Sequence, residues 1–151
     1  MTDVIDINSK GEYPANVLSN FYPNGFVFDG VQCASMEGFL QALKYRNADK
    51  QKQVCGLAGK EAKAAGGKKR LWKLTGNLYW QGKRYKRKSK EFADLRFAAY
   101  KAMFDNETFR AALESAKGKT LAHTIGKHKK RITVLTVEEF IGYLYELIKL
   151  L

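Results

Sequence analysis

Three residues between positions 37 and 44 carry side chains that could do chemistry together. Glu37, Gln41 and Lys44 bring a carboxylate, an amide and an amine at spacings of four and three residues. On a helix turning about 100° per residue they form one narrow polar stripe. A carboxylate can handle protons, and an amine that has lost its proton is a nucleophile. The same spacing also fits an exposed surface pair bridged by Gln41.

The residues on both sides of this stripe favour a crevice over an exposed face. One flank is apolar and predicts a core face: Met36, Phe39, Leu40 and Leu43. The other flank holds small residues that would let another backbone approach closely: Ser35, Gly38 and Ala42. If both flanks are packed, the polar stripe lies in a crevice between them.

Position along the helix suggests different tasks for the two charged residues. Ser35 is a natural N-cap, so Glu37 falls in the first helical turn. Free N–H groups and the helix dipole favour an ionised carboxylate there, which predicts a base or a partner for a cation rather than a proton donor. Lys44 needs desolvation or a neighbouring cation to become an amine nucleophile at neutral pH.

The positive charge of the chain is concentrated in one segment. The formal net charge is +12, and residues 60–90 hold twelve Lys or Arg against a single acid, Glu61. A localised field of this kind predicts a polyanionic partner, either a nucleic acid or a nucleotide with a pyrophosphate.

Within that segment, QGKRYKRKSK (81–90) is the clearest nucleic-acid feature. Tyr79, Trp80 and Tyr85 are interleaved with cations, a pattern typical of single-strand binding by stacking and phosphate contacts. The candidate nucleic-acid contacts are Lys83, Arg84, Lys86, Arg87 and Lys88. The alternative is a solvated basic loop whose aromatic residues pack on the core.

Cysteine and histidine usage argues against a metal site, and no cofactor is predicted. Cys33 and Cys55 form no CxxC pair, and His123 and His128 are five residues apart. We expect two reduced, partly buried thiols and two histidines with ordinary surface or turn roles. The N-terminus does not resemble a signal peptide, and the apolar C-terminal stretch is short and charged, so we expect a cytoplasmic protein without membrane contact.

The elements that must position these residues predict a mainly helical α+β fold. No repeat or linker is visible, so residues 1–151 are expected to form one domain. Asn24-Gly25 and Asp29-Gly30 are turn dipeptides that bound two short strands, 26–28 and 31–33, in an N-terminal hairpin. Residues 71–90 fit either a second hairpin turning at Gln81-Gly82 or an irregular loop.

Helices account for most of the remaining chain. The candidate at 49–65 is weakened by Gly56 and Gly59 and stopped by Gly66-Gly67. Three later helices have clear apolar faces, and their predicted core residues are Phe92, Leu95, Ala99 and Met103; Phe109, Ala112, Leu113 and Ala116, after an Asn106 cap; and Phe140, Leu144, Leu147, Ile148 and Leu151, after a Thr136 capping box.

The stretch LSNFYPNGFVFDGVQCASMEGFLQALKY (18–45) resembles the signature of the NADAR family, also called YbiA-like proteins. The family pattern is roughly SNF, a short strand, DG, then S-x-E-H-x-x-Q-x-x-K. The matching positions are Ser19, Asn20, Phe21, Asp29, Gly30, Ser35, Glu37, Gln41 and Lys44. Weaker similarity continues through residues 57–67 and 91–123. The resemblance implies a YbiA-like fold with the N-terminal hairpin packed on a multihelical core.

The resemblance also implies N-glycoside chemistry on ADP-ribosylated guanine bases or, alternatively, on riboflavin-pathway intermediates. Glu37 and Lys44 would be catalytic, with Glu37 handling protons and Lys44 attacking the opened sugar as a Schiff-base amine. Asn20, Phe21, Ser35, Gln41 and Lys63 would bind the substrate. The implied partners are an ADP-ribose-type nucleotide or ADP-ribosylated nucleic acid.

Two departures separate this chain from the family pattern. The histidine after the glutamate is replaced by Gly38, and the late D-x-x-W-G-x-G motif has no counterpart, since Trp72 and Trp80 lie upstream. A divergent phage branch acting in the host cytoplasm would fit this short chain. The motif losses also leave a second hypothesis open, a non-catalytic nucleic-acid or nucleotide-binding module.

Overall fold

A computed structural model describes residues 3–151 and shows the α+β, mainly helical fold that the sequence predicts. Within that range the strands are β1 (Val4–Asp6), β2 (Phe26–Phe28), β3 (Val31–Cys33), β4 (Asn77–Trp80), β5 (Lys83–Lys86) and β6 (Thr120–Ala122). The helices are α1 (Ala15–Leu18), α2 (Met36–Ala42), α3 (Ala48–Cys55), α4 (Gly59–Gly67), α5 (Trp72–Thr75), α6 (Lys90–Met103), α7 (Glu107–Ala116) and α8 (Val137–Ile148).

The strands form three separate pairs. β2 and β3 make the predicted N-terminal hairpin, with Phe26 opposite Cys33 and Phe28 opposite Val31. β4 and β5 form a second antiparallel hairpin, so the hairpin interpretation of residues 71–90 is confirmed. Its turn takes positive φ at Gln81 (47°) and Gly82 (85°), as tight hairpin turns require.

A parallel pair that the sequence did not predict ties the two ends of the chain together. β1 runs beside β6, with Ile5 opposite Leu121, and the Ile7 amide then donates to the carbonyl of Ala122. Three-residue strands give too little alternation to be recognised from the sequence. This pairing places the segment after β6 beside the N-terminal region.

The helical candidate at 49–65 is two helices rather than one. α3 ends at Cys55 and α4 begins at Gly59, which adopts a φ of +54°. A positive φ is accessible to glycine at little cost, and it breaks the helix here. The short helix α5 also escaped prediction, because four residues are less than a recognisable period.

The core has the composition that the three long helices predict. Phe92, Phe109 and Phe140 are all buried, and the faces predicted for α6 and α7 are buried throughout. On α8, Leu144 and Leu147 are buried, but Ile148 and Leu151 are only partly so. The predicted burial of those two residues is therefore corrected, since the helix ends where its last turn reaches the surface.

Helix α2 lies deep in the fold because of its small residues. A Cβ atom at Gly38 would lie 2.6 Å from the carbonyl oxygen of Leu57 and 2.9 Å from that of Val54. Ser35 caps the helix by accepting from the Gly38 amide and donates its own hydroxyl to the Leu57 carbonyl. Close packing on the segment that follows α3 therefore fixes the flank of α2 opposite its apolar face.

Across residues 3–151, no helix combines the length and the apolar character that crossing a bilayer demands.

Candidate functional site

A cleft of about 390 Å³ lies along the polar stripe of α2. One set of its lining residues comes from the first half of the chain, and the principal ones are Asn20, Phe21, Glu37, Gln41, Lys44 and Lys63. A second set comes from the segment between β6 and α8, and the principal ones are His123, Ile125, Gly126, Lys127, Ile132 and Val134. The stripe is thus the wall of a cleft and not an exposed face.

Glu37 and Gln41 are joined at the centre of this wall. Gln41 Nε2 donates to Glu37 Oε2 at 2.6 Å, and the Gln41 side chain is itself buried. Gly66 of α4 makes room for it, because a Cβ there would lie 1.6 Å from Gln41 Oε1. The amide therefore holds the carboxylate in a fixed position.

The pKa of Glu37 is shifted in the direction opposite to the sequence-based expectation. Burial raises the pKa of this carboxyl above its ordinary value of 4.5, and the Gln41 hydrogen bond, Lys44, Lys63 and His123 offset that rise only in part. The expected shift toward the ionised form in the first helical turn is therefore corrected in its direction. Desolvation outweighs the helix N-terminus and favours the protonated carboxyl more than in a free glutamate.

Lys44 lies just beyond the end of α2 and reaches into the same cleft. Its Nζ is 3.5 Å from the Gly66 carbonyl oxygen and 5.9 Å from the centre of the Trp72 ring. The pKa of Lys44 is lowered to about 8, chiefly by burial and to a smaller extent by the cations Lys73 and Lys127, while Glu37 opposes the shift. Desolvation and nearby cations are the two conditions for an amine nucleophile near neutral pH.

Asn20 connects the cleft to the buried core. Its backbone carbonyl accepts from the Glu37 amide at 3.0 Å, and its Oδ1 accepts from the buried Tyr100 hydroxyl at 2.7 Å. The Asn20 side chain thus keeps its amide N–H groups for a ligand. Phe21 and Lys63 also line the cleft, as Lys73 and Lys127 do.

The predicted substrate contact at Ser35 is corrected. Ser35 is fully buried, and its hydroxyl caps α2 and bonds to Leu57. Gly38, the position of the family's histidine, faces the same packed backbone and not the cleft. The missing histidine therefore removes no group from the cleft of this protein.

The predicted nucleic-acid contact at Arg87 is also corrected. Arg87 is 4% exposed, and its guanidinium lies 2.7 Å from Glu139 at the start of α8. Arg96 reaches the same carboxylate at 2.9 Å and is buried as well. A buried arginine needs an acidic partner, so the guanidinium is bound to Glu139 and is not a free cation, although Arg87 also borders a second cavity.

The two arginines hold the second wall of the cleft. Arg87 Nε donates to the Thr133 carbonyl and Arg96 Nη1 to the Val134 carbonyl, each at 2.8 Å. A weak sign of this arrangement is present in the sequence, because Arg96 falls one turn after Phe92 on the apolar face of α6. Its partner, Glu139, was recognised only as part of a capping box.

Of the other four predicted nucleic-acid contacts, two line a second cavity and two are exposed elsewhere. Lys86 and Lys88 line a second cavity of about 340 Å³, together with Trp72, Lys73 and Arg131. Lys73 also lines the cleft, so the two spaces adjoin. Lys83 and Arg84 are exposed but line neither one, and Lys83 lies 3.8 Å from Glu91.

His123 is the principal cleft residue that sequence reasoning missed. It was expected to have an ordinary surface or turn role, but it lies half-buried in the cleft wall directly after β6. The apolar pair Leu121-Ala122 before it was the available sign of a strand end, where site residues often lie. Residues 3–151 contain no group of three His, Cys, Asp or Glu placed to hold a metal ion.

Three comparisons relate the chain to known proteins. The family model described as "Bacteriophage protein GP30.3" matches residues 12–149. The "Uncharacterized 17.1 kDa protein in Gp30-rIII intergenic region" of Enterobacteria phage T4 is 39% identical over 142 residues, which cover 93% of each chain. The NMR structure of the E. coli protein YbiA superposes with a TM-score of 0.64 at 17% identity, covering 99% of this chain and 86% of that one. That likeness confirms the expected YbiA-like fold.

Proposed function

The chain belongs to the bacteriophage protein GP30.3 family, and from that premise we propose that it is an N-glycoside hydrolase. Its substrate is an ADP-ribosylated or ribosylated nucleobase, and it acts in the cytoplasm of the infected host. The proposal combines the NADAR-like motif at 18–45 with the chemistry of the cleft. One observation carries it: Glu37 and Lys44 line one cleft, with the pKa of the acid raised and that of the amine lowered to about 8.

The first chemical step needs both groups. Protonated Glu37 gives its proton to the departing base while the bond between the sugar's anomeric carbon and the base nitrogen breaks. The neutral Lys44 amine forms a new bond to that carbon and passes its own proton to the Glu37 carboxylate. The base leaves neutral, and the acid is ready for another cycle.

The second step releases the sugar. The ring oxygen leaves the anomeric carbon and takes up the proton that the Lys44 nitrogen gives up, which leaves an imine between Lys44 and the opened sugar. Water adds to the imine carbon, and collapse of that adduct returns the amine and frees the sugar. Lys63, Lys73 and Lys127 line the same cleft and would hold a pyrophosphate as point charges.

The test is release of ADP-ribose from a guanine-containing oligonucleotide that carries ADP-ribose on the base. We expect Lys44→Ala to abolish release and Glu37→Gln to slow it by a factor of about 100 or more. Borohydride should trap a covalent sugar adduct on Lys44 in the wild type, more efficiently as the pH rises through about 8, where the amine loses its proton.

Two matched controls accompany these variants. Glu61→Gln changes an exposed acid in the first turn of α4, and Lys50→Ala changes an exposed lysine in α3. Both should retain full activity. The proposal fails if the wild type shows no more release than Lys44→Ala or Glu37→Gln over a panel that also includes ribosylated intermediates of the riboflavin pathway.

A second candidate function, a nucleic-acid or nucleotide-binding module without turnover, is favoured by the second cavity. Its lining includes Lys73, Lys86, Lys88 and Arg131 and no acidic residue. Binding of a single-stranded oligonucleotide should then weaken steeply with salt. Charge reversal at Lys86 and Lys88 should weaken it further, whereas Glu37→Gln and the exposed control Lys117→Glu should not. Binding that ignores both salt and these reversals would eliminate this candidate.

A further inference from the structure

We propose that His123 Nε2 accepts a hydrogen bond from a hydroxyl group of the terminal ribose of an ADP-ribose-type ligand bound in the cleft. The inference rests on the proposed function, because it takes the cleft ligand to contain ribose. It concerns binding rather than turnover, so it can be tested separately. His123 would then help the cleft to distinguish an anionic ligand that carries a ribose from anionic ligands that do not.

The tautomer of the His123 ring is fixed by a hydrogen bond at Nδ1. Its Nδ1 lies 2.8 Å from the carbonyl oxygen of Ile7, at the end of the β1 segment. A carbonyl oxygen can only accept, so Nδ1 carries the hydrogen atom of the neutral ring. Nε2 is then left with a lone pair and acts as an acceptor.

The ring is also held in place on both sides. It packs edge-to-face on Phe140 at a centroid distance of 5.3 Å and an interplanar angle of 78°. Gly126 covers the edge that carries Cδ2 and Nε2, because a Cβ at that position would lie 2.5 Å from Cδ2 and 3.2 Å from Nε2. Phe140 and Gly126 therefore fix the ring in the wall of the cleft, which both His123 and Gly126 line.

The rest of the cleft offers many donors and few acceptors. Lysines 44, 63, 73 and 127 can only donate, and Asn20 Oδ1 is already occupied by Tyr100. The carbonyl oxygens of the second wall are also engaged: that of Thr133 by Arg87, that of Val134 by Arg96, and that of Leu135 by the Thr133 hydroxyl. One Glu37 oxygen takes the Gln41 hydrogen bond.

A ribose hydroxyl needs an acceptor for its own hydrogen atom when it leaves water. Pyrophosphate oxygens are acceptors and suit the lysines, so they do not compete for His123 Nε2. The sugar hydroxyls of an ADP-ribose-type ligand need an acceptor that the lysines cannot supply. His123 Nε2 is such an acceptor in the cleft wall, which supports a sugar contact at this residue.

The experiment measures the Kd of ADP-ribose and of ADP by calorimetry for wild type and His123→Asn. Asparagine keeps an N–H donor close to the Nδ1 position but has no atom at Nε2, so the thermal stability should hold. ADP-ribose should bind about 5- to 10-fold more weakly, the usual worth of one hydrogen bond. ADP, which lacks the terminal ribose, should bind to both proteins equally.

Two further variants accompany His123→Asn, one as a control and one as a second test of the contact. His128→Asn changes the exposed histidine that pairs with Glu138 outside the cleft, and it should bind both ligands as the wild type does. Gly126→Ala keeps His123 but places a Cβ atom 2.5 Å from its ring and 2.4 Å from Val137 Cγ2, so the ring must shift and ADP-ribose should bind more weakly relative to ADP. If His123→Asn does not fold, this variant alone decides the question.

Three outcomes would overturn the inference: no binding of ADP-ribose by the wild type, equal affinity in wild type and His123→Asn, or an equal loss for ADP and ADP-ribose. Failure of the proposed function gives a different result. In that case no substrate is turned over, while the His123-dependent preference for ADP-ribose persists.

Discussion

Two glutamates in the first turns of two helices illustrate how differently one residue type can be used in this protein. Glu37 in α2 faces the cleft, has one amide partner in Gln41, and has a raised pKa because burial is not fully offset. Glu139 in α8 is also largely buried but accepts from Arg87, Arg96 and the Thr136 amide. Those hydrogen bonds and charges hold its pKa well below the ordinary value.

The contrast shows that a helix N-terminus does not by itself set the ionisation of a carboxylate. Both residues lie in the first turn of a helix, near the positive end of its dipole, yet their pKa values move in opposite directions. The partners decide, since two guanidinium groups compensate desolvation and one neutral amide does not. Glu139 is therefore a stabilising residue, whereas Glu37 is maintained at a cost in stability.

The largest expected effect is loss of the Glu139 carboxylate. Glu139→Gln should lower the free energy of unfolding by about 3–5 kcal/mol, because it leaves two buried arginine charges without an anion. Urea denaturation would measure it. Glu138→Gln, next to it in the same turn and exposed, is the control and should leave the free energy of unfolding nearly unchanged. Equal effects of the two changes would contradict the assignment.

A smaller effect is expected when alanine replaces the glycine of α2 or the glycine of α8. Gly38→Ala should destabilise by about 1–3 kcal/mol, because its Cβ would press on the Leu57 and Val54 carbonyls. It should also move α2 outward, expose Glu37 and bring the pKa of that carboxyl back toward 4.5. Gly142→Ala in α8 meets no atom within 4 Å and should stabilise by up to about 1 kcal/mol. A neutral Gly38→Ala would mean that α2 is not held by this contact.

The smallest expected effect on stability is that of Glu37→Gln. Its sign is informative, because the substitution should stabilise the protein. Near neutral pH Glu37→Gln should raise the free energy of unfolding slightly, because ionising the carboxyl of the wild type carries the desolvation cost that raises its pKa. A raised folded pKa favours the native state below pH 4.5, and that advantage is lost as pH rises through the folded value. The gain of the variant should therefore vanish in acid.

For Glu139 the sign is reversed in the same experiment. A lowered folded pKa stabilises the native state above pH 4.5, and this contribution is lost as the pH falls below that value. The deficit of Glu139→Gln should therefore shrink in acid. Denaturation curves between pH 3 and pH 7 would separate the two glutamates, and parallel curves for both variants would contradict the proposed contrast.

Much of the architecture could be predicted from local patterns. The N-terminal hairpin, the Ser35, Asn106 and Thr136 caps and the buried faces of the long helices follow from turn chemistry, capping residues and helical periodicity. The elements that escaped prediction are short, namely β1, β6, α1 and α5. Pairing of β1 with β6 joins residues more than a hundred positions apart, which no local pattern records.

The candidate site could be predicted in part. Residues that share one helix face or one motif, such as Glu37, Gln41 and Lys44, are also near one another in space. His123 and Lys127 were missed because they reach the cleft only through tertiary contacts. Arg87 was misplaced for a related reason, since the sequence shows its basic neighbours but not the Glu139 partner 52 residues away.

By itself, the sequence determined which chemical groups this protein has and how they are ordered along α2, because helical geometry is local. The tertiary structure decided their ionisation and their use, because burial and charged partners depend on chain segments that meet only in the fold. A carboxylate became a candidate acid in one place and an anchor for two arginines in another. An arginine in a basic run became part of the core, and a histidine in a turn came to line the cleft.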